Sequence, residues 1–195
     1  MYPKVLDDLI NSLCMLPGVG RKTAERYALA IISQQDDKIL ALANNIAKAK
    51  NSIKYCSICG NYSDNDICGI CNDKNRDKTL ICVVAYPRDI IALEKSNSYN
   101  GHYHVLNGLI APSKNVMPYD LTIEQLTKKI DSNTKEIILA LSPTLEGETT
   151  ALYISKLLKD KVTLSRIAQG LPMGASIDYA DDLTLVKAIM NRSKI

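Results

Sequence analysis

The chain has 195 residues, and its 24 lysines and arginines against 21 acids leave a net charge of +3, too little for an overall field to announce a nucleic-acid partner, so a local cluster of charge would have to meet one. Hydrophobic residues make up 46% of it, but Phe and Trp are absent and 10 Tyr supply every aromatic, so the core must be aliphatic. The length suits one large domain or two small ones, and no apolar run approaches the ~20 residues of a membrane span.

Val5, Leu6, Leu9, Ile10, Leu13 and Leu16 recur at helical spacing and predict an amphipathic helix near the start. The segment from Met1 to Ile10 carries an acidic pair and no apolar core, which is not the pattern of a signal peptide; the chain is expected to be soluble and cytoplasmic. Pro17-Gly18-Val19-Gly20 ends the helix, because proline cannot continue it and the glycines allow the positive φ of a tight turn. Periodicity resumes with Ala24, Tyr27, Ala28, Ile31 and Ile32, and a third helix is predicted over Lys38–Ile53 with Ile39, Leu42, Ile46 and Ala49 inward. A glycine turn between two helices, followed by the small Ala24, has the look of a helix-hairpin-helix unit. Such a turn bares backbone N–H groups at the positive end of the second helix, where a phosphate can sit without any base being read. Arg21, Lys22 and Arg26 crowd the same turn and would neutralise neighbouring phosphates. The same residues also suit a plain joint between packed helices with a solvated basic face.

Cys56-Ser-Ile-Cys59 and Cys68-Gly-Ile-Cys71 are two Cys-x-x-Cys knuckles separated by eight residues. Each knuckle turns two thiolates the same way, and the second pair closes a tetrahedron around Zn²⁺. Gly60 and Gly69 are expected where the backbone turns too sharply for a Cβ. In a reducing cytosol such pairs read as metal ligands rather than disulfides. Four thiolates leave no open position for water or substrate, so the ion is expected to be structural. The remaining cysteines, Cys14 and Cys82, lie in apolar runs and read as small buried hydrophobes.

Beyond a polar link at Lys74–Lys78, Leu80–Val84 is a continuous apolar, largely β-branched run that predicts a buried parallel strand. Helices are predicted over Pro87–Lys95, Thr122–Asp131 and Gly147–Lys159, strands over His102–Leu106, Glu136–Leu141 and Val162–Ile167, and a loop over Pro112–Asp120. Strands alternating with helices argue for a parallel α/β sheet with right-handed crossovers. Function in such sheets gathers at the carboxyl ends of the strands, here Ala85–Asp89 and Ser142–Glu148. His102 and His104 share a face of their strand; without an evident third ligand they read as ordinary polar positions. Gly170–Gly174 reads as a turn, Leu183–Met190 as a short helix after Asp178, Asp181 and Asp182, and Lys156, Lys159 and Lys161 as a solvated face.

This order of parts, together with Ser142-Pro-Thr-Leu-Glu-Gly-Glu148 and Gly170-Leu-Pro-Met-Gly174, resembles the recombination-mediator family RecR over essentially the whole chain. The resemblance implies an α+β, multi-part fold: a helix-hairpin-helix region over 1–53, a C4 zinc finger over 54–73, a Toprim domain over 78–173 and a C-terminal tail over 174–195 that helps join subunits. It implies zinc on Cys56, Cys59, Cys68 and Cys71, and DNA on Lys22 and Arg26 with Arg21 as helper. The partners implied are RecO, RecF and further copies of the chain, in a dimer or a tetrameric ring around DNA, with no membrane. The function implied is non-catalytic: placing RecA on single strands coated by single-strand-binding protein, in the cytoplasm and at the nucleoid during repair. In the Toprim superfamily an acid after the first strand and an Asp-x-Asp pair after a later one hold Mg²⁺. Here Ala85, Ser142 and Thr144 stand at those places. Asp89, Glu146 and Glu148 remain nearby, either as helix N-terminal charges or as a residual metal or partner contact. The alternative is a Mg²⁺-dependent Toprim enzyme that nicks or joins DNA.

Overall fold

Alternation of side chains along one buried strand sets the architecture of the larger part of this chain. In the computed structural model, which describes residues 2–193, the chain divides at residue 53 into two units; Met1 and the last two residues of the expected tail lie outside the described residues.

The first unit holds α1 (Lys4–Cys14), α2 (Arg21–Ile32) and α3 (Asp36–Ser52). Its small core is Ile10 with Ala24 and Ala28, all wholly buried, surrounded by Leu6, Leu9, Leu13, Cys14 and Val19. Ala24 and Ala28 are one turn apart, so their small side chains let α1 approach the same face of α2. Two expectations about inward faces are corrected here. Val5, in the first turn of α1, and Leu16, beyond its end, are exposed. No residue of α3 is buried, and Leu42 and Ile46, expected inward, are exposed along with Leu40. The periodicity of α3 is real, but among the described residues of its own unit nothing buries its apolar stripe.

The second unit opens with a two-residue antiparallel ribbon, β1 (Lys54–Tyr55) and β2 (Tyr62–Ser63), and a single turn, α4 (Gly69–Asn72). A four-stranded parallel sheet follows: β3 (Asp77–Val84), β4 (Gly101–Val105), β5 (Glu136–Leu139) and β6 (Thr163–Arg166), in the order β4-β3-β5-β6. From β3, Ile81 and Val83 point to one face and Cys82 and Val84 to the other, as the pleat requires. The first face is covered by α6 (Ile123–Lys129) through Ile123 and Leu126, and by α7 (Leu145–Leu158) through Ala151, Ile154 and Leu158. The second is covered by α5 (Pro87–Glu94) through Ile90, next to Tyr103 and Val105. Helices on both faces explain why β3 reads as an unbroken apolar run. A last helix, α8 (Asp182–Met190), starts at an Asp181 cap that accepts from the Thr184 amide at 3.0 Å.

The chain leaves β3 towards β4 on one side and later returns to place β5 on the other. The carboxyl ends of β3 and β5 are therefore neighbours at the point where the winding reverses, with the Ala140 amide donating to the Val83 carbonyl at 2.8 Å. Thr144 caps α7 there, its Oγ1 accepting from Gly147 N at 3.2 Å. A Cβ on Gly147 would stand 1.9 Å from the Ser142 carbonyl oxygen. We expect Gly147→Ala to push the strand end away from α7 and lower unfolding free energy by about 2 kcal/mol, read by denaturant unfolding at unchanged zinc content.

Candidate metal centre and nucleic-acid interface

The four knuckle cysteines, Cys56, Cys59, Cys68 and Cys71, are all buried, and their sulfurs lie within 4.8 Å of one another. The loop that gathers them is closed by backbone bonds: Cys56 N donates to Asn61 O at 2.7 Å and Gly60 N to Cys56 O at 2.9 Å. The Cys68 amide donates to Cys56 Sγ at 3.3 Å, a bond that favours a thiolate. Gly60 has φ +78°, and a Cβ on it would meet Val105 Cβ at 3.2 Å, so both conformation and space call for glycine. Gly69 does not follow that expectation. Its φ is ordinary and the space beside it is open, because it simply starts α4.

A hydrogen bond from Cys71 draws the Cys59 thiol down to about 5 against its burial. The same bond, with desolvation, pushes Cys71 far up, and burial with the nearby Cys59 charge raises Cys68. With Cys59 ionised, its neighbours Cys68 and Cys71 resist losing their protons. A divalent cation supplies the positive charge that lets four thiolates coexist, and soft sulfur donors at this spacing suit Zn²⁺.

The finger is fastened to the sheet by Val105 N, which donates to Cys59 O at 2.8 Å across the outer edge of β4. Beside it, Lys129 Nζ lies 2.9 Å from His104 Nδ1, and His104 Nε2 lies 2.9 Å from the Thr122 carbonyl. An ammonium only donates, so Nδ1 accepts and the ring proton sits on Nε2. Burial first, then the Lys129 charge, holds His104 down to about 4. Both ring nitrogens of His104 are thus engaged, while His102 Nε2 is buried without a partner among the described residues. Among the described residues the two histidines belong to no group of three or more metal-ligating side chains. Cys82 is buried at 3% exposure and its thiol is pushed up to about 12 by desolvation, whereas Cys14 is only partly buried.

At the hairpin, Gly18 turns with φ +79° and Gly20 stands at the N-cap of α2 without any capping side chain. No acid lies in the first turn of α2. The Gly20 carbonyl takes the amides of Thr23 and Ala24, and those of Arg21 and Lys22 have no backbone partner among the described residues. Lys22 and Arg26, one turn apart on α2, are exposed and without a carboxylate partner among the described residues. Arg26 lies 5.5 Å from the Tyr27 ring. Arg21 is placed differently: it is bonded to Asp7, to Asn11 at 2.7 Å and to Glu25 at 3.4 Å. Its guanidinium holds the Asp7 carboxyl below the usual carboxylate range.

At the strand ends the structure does not bring Asp89, Glu146 and Glu148 together as ligands; among the described residues the four cysteines form the only such group of three or more. Asp89 accepts from Tyr86 N at 2.8 Å at the start of α5. Glu146 meets Lys114 at 3.2 Å. Glu148 meets Arg166 at 2.6 Å and 3.0 Å and Gln169 at 3.0 Å, and Arg166 holds its pKa down to about 2. These clamps had no sequence signal, because Lys114 and Arg166 lie 32 and 18 residues from their acids.

The whole is a helix-hairpin-helix protein carrying a four-cysteine zinc finger and a Toprim-type sheet. Comparison with known families agrees part by part: residues 6–50 match the RecR helix-hairpin-helix, 53–73 the RecR four-cysteine zinc finger domain, 79–168 the Toprim domain and 170–193 the RecR C-terminal region. Over all 195 residues the chain is 45% identical to Recombination protein RecR of Clostridium perfringens, both in strain ATCC 13124 and in strain 13, covering 98% of each. The chain belongs to the RecR family of recombination proteins.

Cys59→Ser should cost the protein its zinc, read by elemental analysis, and lower its unfolding midpoint, because metal binding and folding are coupled here. Chelation of the parent should reproduce that loss; parent protein purified without zinc would contradict it.

Proposed function

We propose that this chain is a non-catalytic DNA-binding scaffold of recombinational repair, acting with RecO and RecF to place RecA on single strands coated by single-strand-binding protein. The observation that carries the reading is the hairpin: an uncapped helix end flanked by the exposed cations Lys22 and Arg26. That combination suits a phosphate backbone and ignores base identity. Arg21 serves it indirectly, by tying α1 to α2 through Asp7 and Asn11.

The work divides among a DNA-binding region at 1–53, a zinc finger at 54–73, a Toprim domain at 78–173 and a tail at 174–195 that joins subunits. Exposed apolar residues on α3 (Leu40, Leu42, Ile46) and on α8 (Leu183, Val186, Ile189) support assembly into a homo-oligomer, a dimer or a tetrameric ring. Few phosphate contacts per hairpin give weak binding, and several hairpins in one ring multiply it through effective concentration. The modest net charge is then no obstacle. No described helix is long and apolar enough to cross a membrane; a cytoplasmic protein that joins the nucleoid during repair fits this role.

The absence of catalysis rests on side chains at the strand ends. Ala85, Ser142 and Thr144 cannot supply the carboxylates that a hard divalent cation requires, and Glu146 and Glu148 are each held by a cation. Supercoiled plasmid incubated with Mg²⁺ should stay uncut; cutting that Glu146→Ala abolishes would establish the Toprim enzyme instead.

Lys22→Ala with Arg26→Ala should weaken binding to a labelled duplex in fluorescence anisotropy. The slope of log affinity against log salt should fall by about 2 for each hairpin engaged. A double variant that binds like the parent would remove the hairpin from the interface.

A further inference from the structure

Tyrosine is the only aromatic residue in this chain, and three of its exposed tyrosines converge on one hollow. A cavity of about 450 Å³ is lined by Tyr55, Tyr62, Tyr86, Pro87, Arg88 and Asn107. Tyr55 and Tyr62 are cross-strand partners in the β1–β2 ribbon of the zinc finger, their rings 5.7 Å apart and inclined by 29°. Tyr86 and Arg88 come from the carboxyl end of β3 and the start of α5. The Arg88 guanidinium lies 4.6 Å from the Tyr86 ring centroid, and its side chain is 77% exposed. Asn107, just after β4, has φ +62° and also lines the hollow. A second cavity of about 310 Å³ continues from it, sharing Tyr86 and Asn107 and ending at Lys114 and Glu146.

Three features of this groove select an occupant. Its walls are flat rings left open to water, with Tyr55 at 61% and Tyr62 at 49% exposure. Its only charged lining residue is a cation, Arg88, and no acid is among the six. The Asp89 carboxylate is already accepting from the Tyr86 amide and lies 4.0 Å from Arg88. Open aromatic faces beside a largely exposed guanidinium, paired only at 4.0 Å with Asp89, suit a chain that offers a π-face and a negative charge at every step.

We propose that this groove binds single-stranded nucleic acid, stacking successive bases on Tyr55, Tyr62 and Tyr86 while Arg88 neutralises a phosphate. Duplex is excluded from it, because paired bases present no free face. The groove shares no residue with the hairpin, so it adds a base-stacking site to a phosphate-binding one and stands or falls apart from it.

The absence of tryptophan provides a direct readout. Oligo(dT) of about twelve nucleotides, within the span of known single-strand sites, is titrated into the full-length protein, and quenching of tyrosine fluorescence gives the affinity. An abasic deoxyribose-phosphate chain of the same length is the control. Oligo(dT) should quench and bind more tightly than the abasic chain. Tyr55→Ala with Tyr62→Ala should weaken oligo(dT) binding about tenfold or more, with duplex affinity by anisotropy unchanged. Tyr55→Phe with Tyr62→Phe should bind like the parent when followed by anisotropy, since phenylalanine still stacks. Arg88→Gln, outside the finger, should lower the single-strand salt slope by about 1. If the alanine pair lowers zinc content, Tyr86→Ala and Arg88→Gln decide. The proposal is overturned if these variants bind oligo(dT) like the parent, if the abasic chain binds as well as oligo(dT), if duplex affinity falls in step, or if a proline-rich peptide fills the groove and oligo(dT) does not.

Discussion

Four buried sulfurs within 4.8 Å of one another can all ionise only around a cation, and that electrostatic demand organises the middle of this protein. In the gathered loop Cys59 O accepts from Val105 N, so that the finger caps β4. β4 would otherwise be an open edge, and an open edge invites pairing with another chain. Closure also fixes the β1–β2 ribbon and so holds Tyr55 against Tyr62. Folding, edge protection and the aromatic wall of the groove thus share one cause.

The strand ends tell a complementary story. Parallel winding delivers the ends of β3 and β5 to the same place, where related sheets hold metal for phosphoryl chemistry. In this chain the place is built for packing and for ion pairs. Ala85 is buried, Thr144 caps α7, and Glu146 and Glu148 are neutralised by Lys114 and Arg166. In the proposed scaffold role these acids serve the structure through those pairs.

Much of this was legible in the residues alone, and the pattern of success has a physical basis. Metal chemistry imposes local spacing, so the four ligands could be named at once. Buried parallel strands must be apolar on both faces, so Leu80–Val84 announced itself, whereas the start of β3 did not: Asp77, Lys78 and Thr79 extend the strand with no apolar signature. The two-residue strands of the finger are too short for any period to register. The apolar stripe of α3 was visible but its burial was not, because periodicity marks a face without saying what covers it. Clamps such as Arg166 on Glu148, or Lys129 on His104, join residues far apart in sequence, and no short-range pattern encodes them.

Arg21 holds a last lesson. Its half-exposed guanidinium is anchored on α1 by Asp7 and Asn11, so the hairpin keeps one cation in reserve. In the proposed role, neutralising Asp7 would release that cation and raise the positive field around Lys22 and Arg26 without altering either. Through one carboxylate, α1 would then set how much positive charge α2 presents.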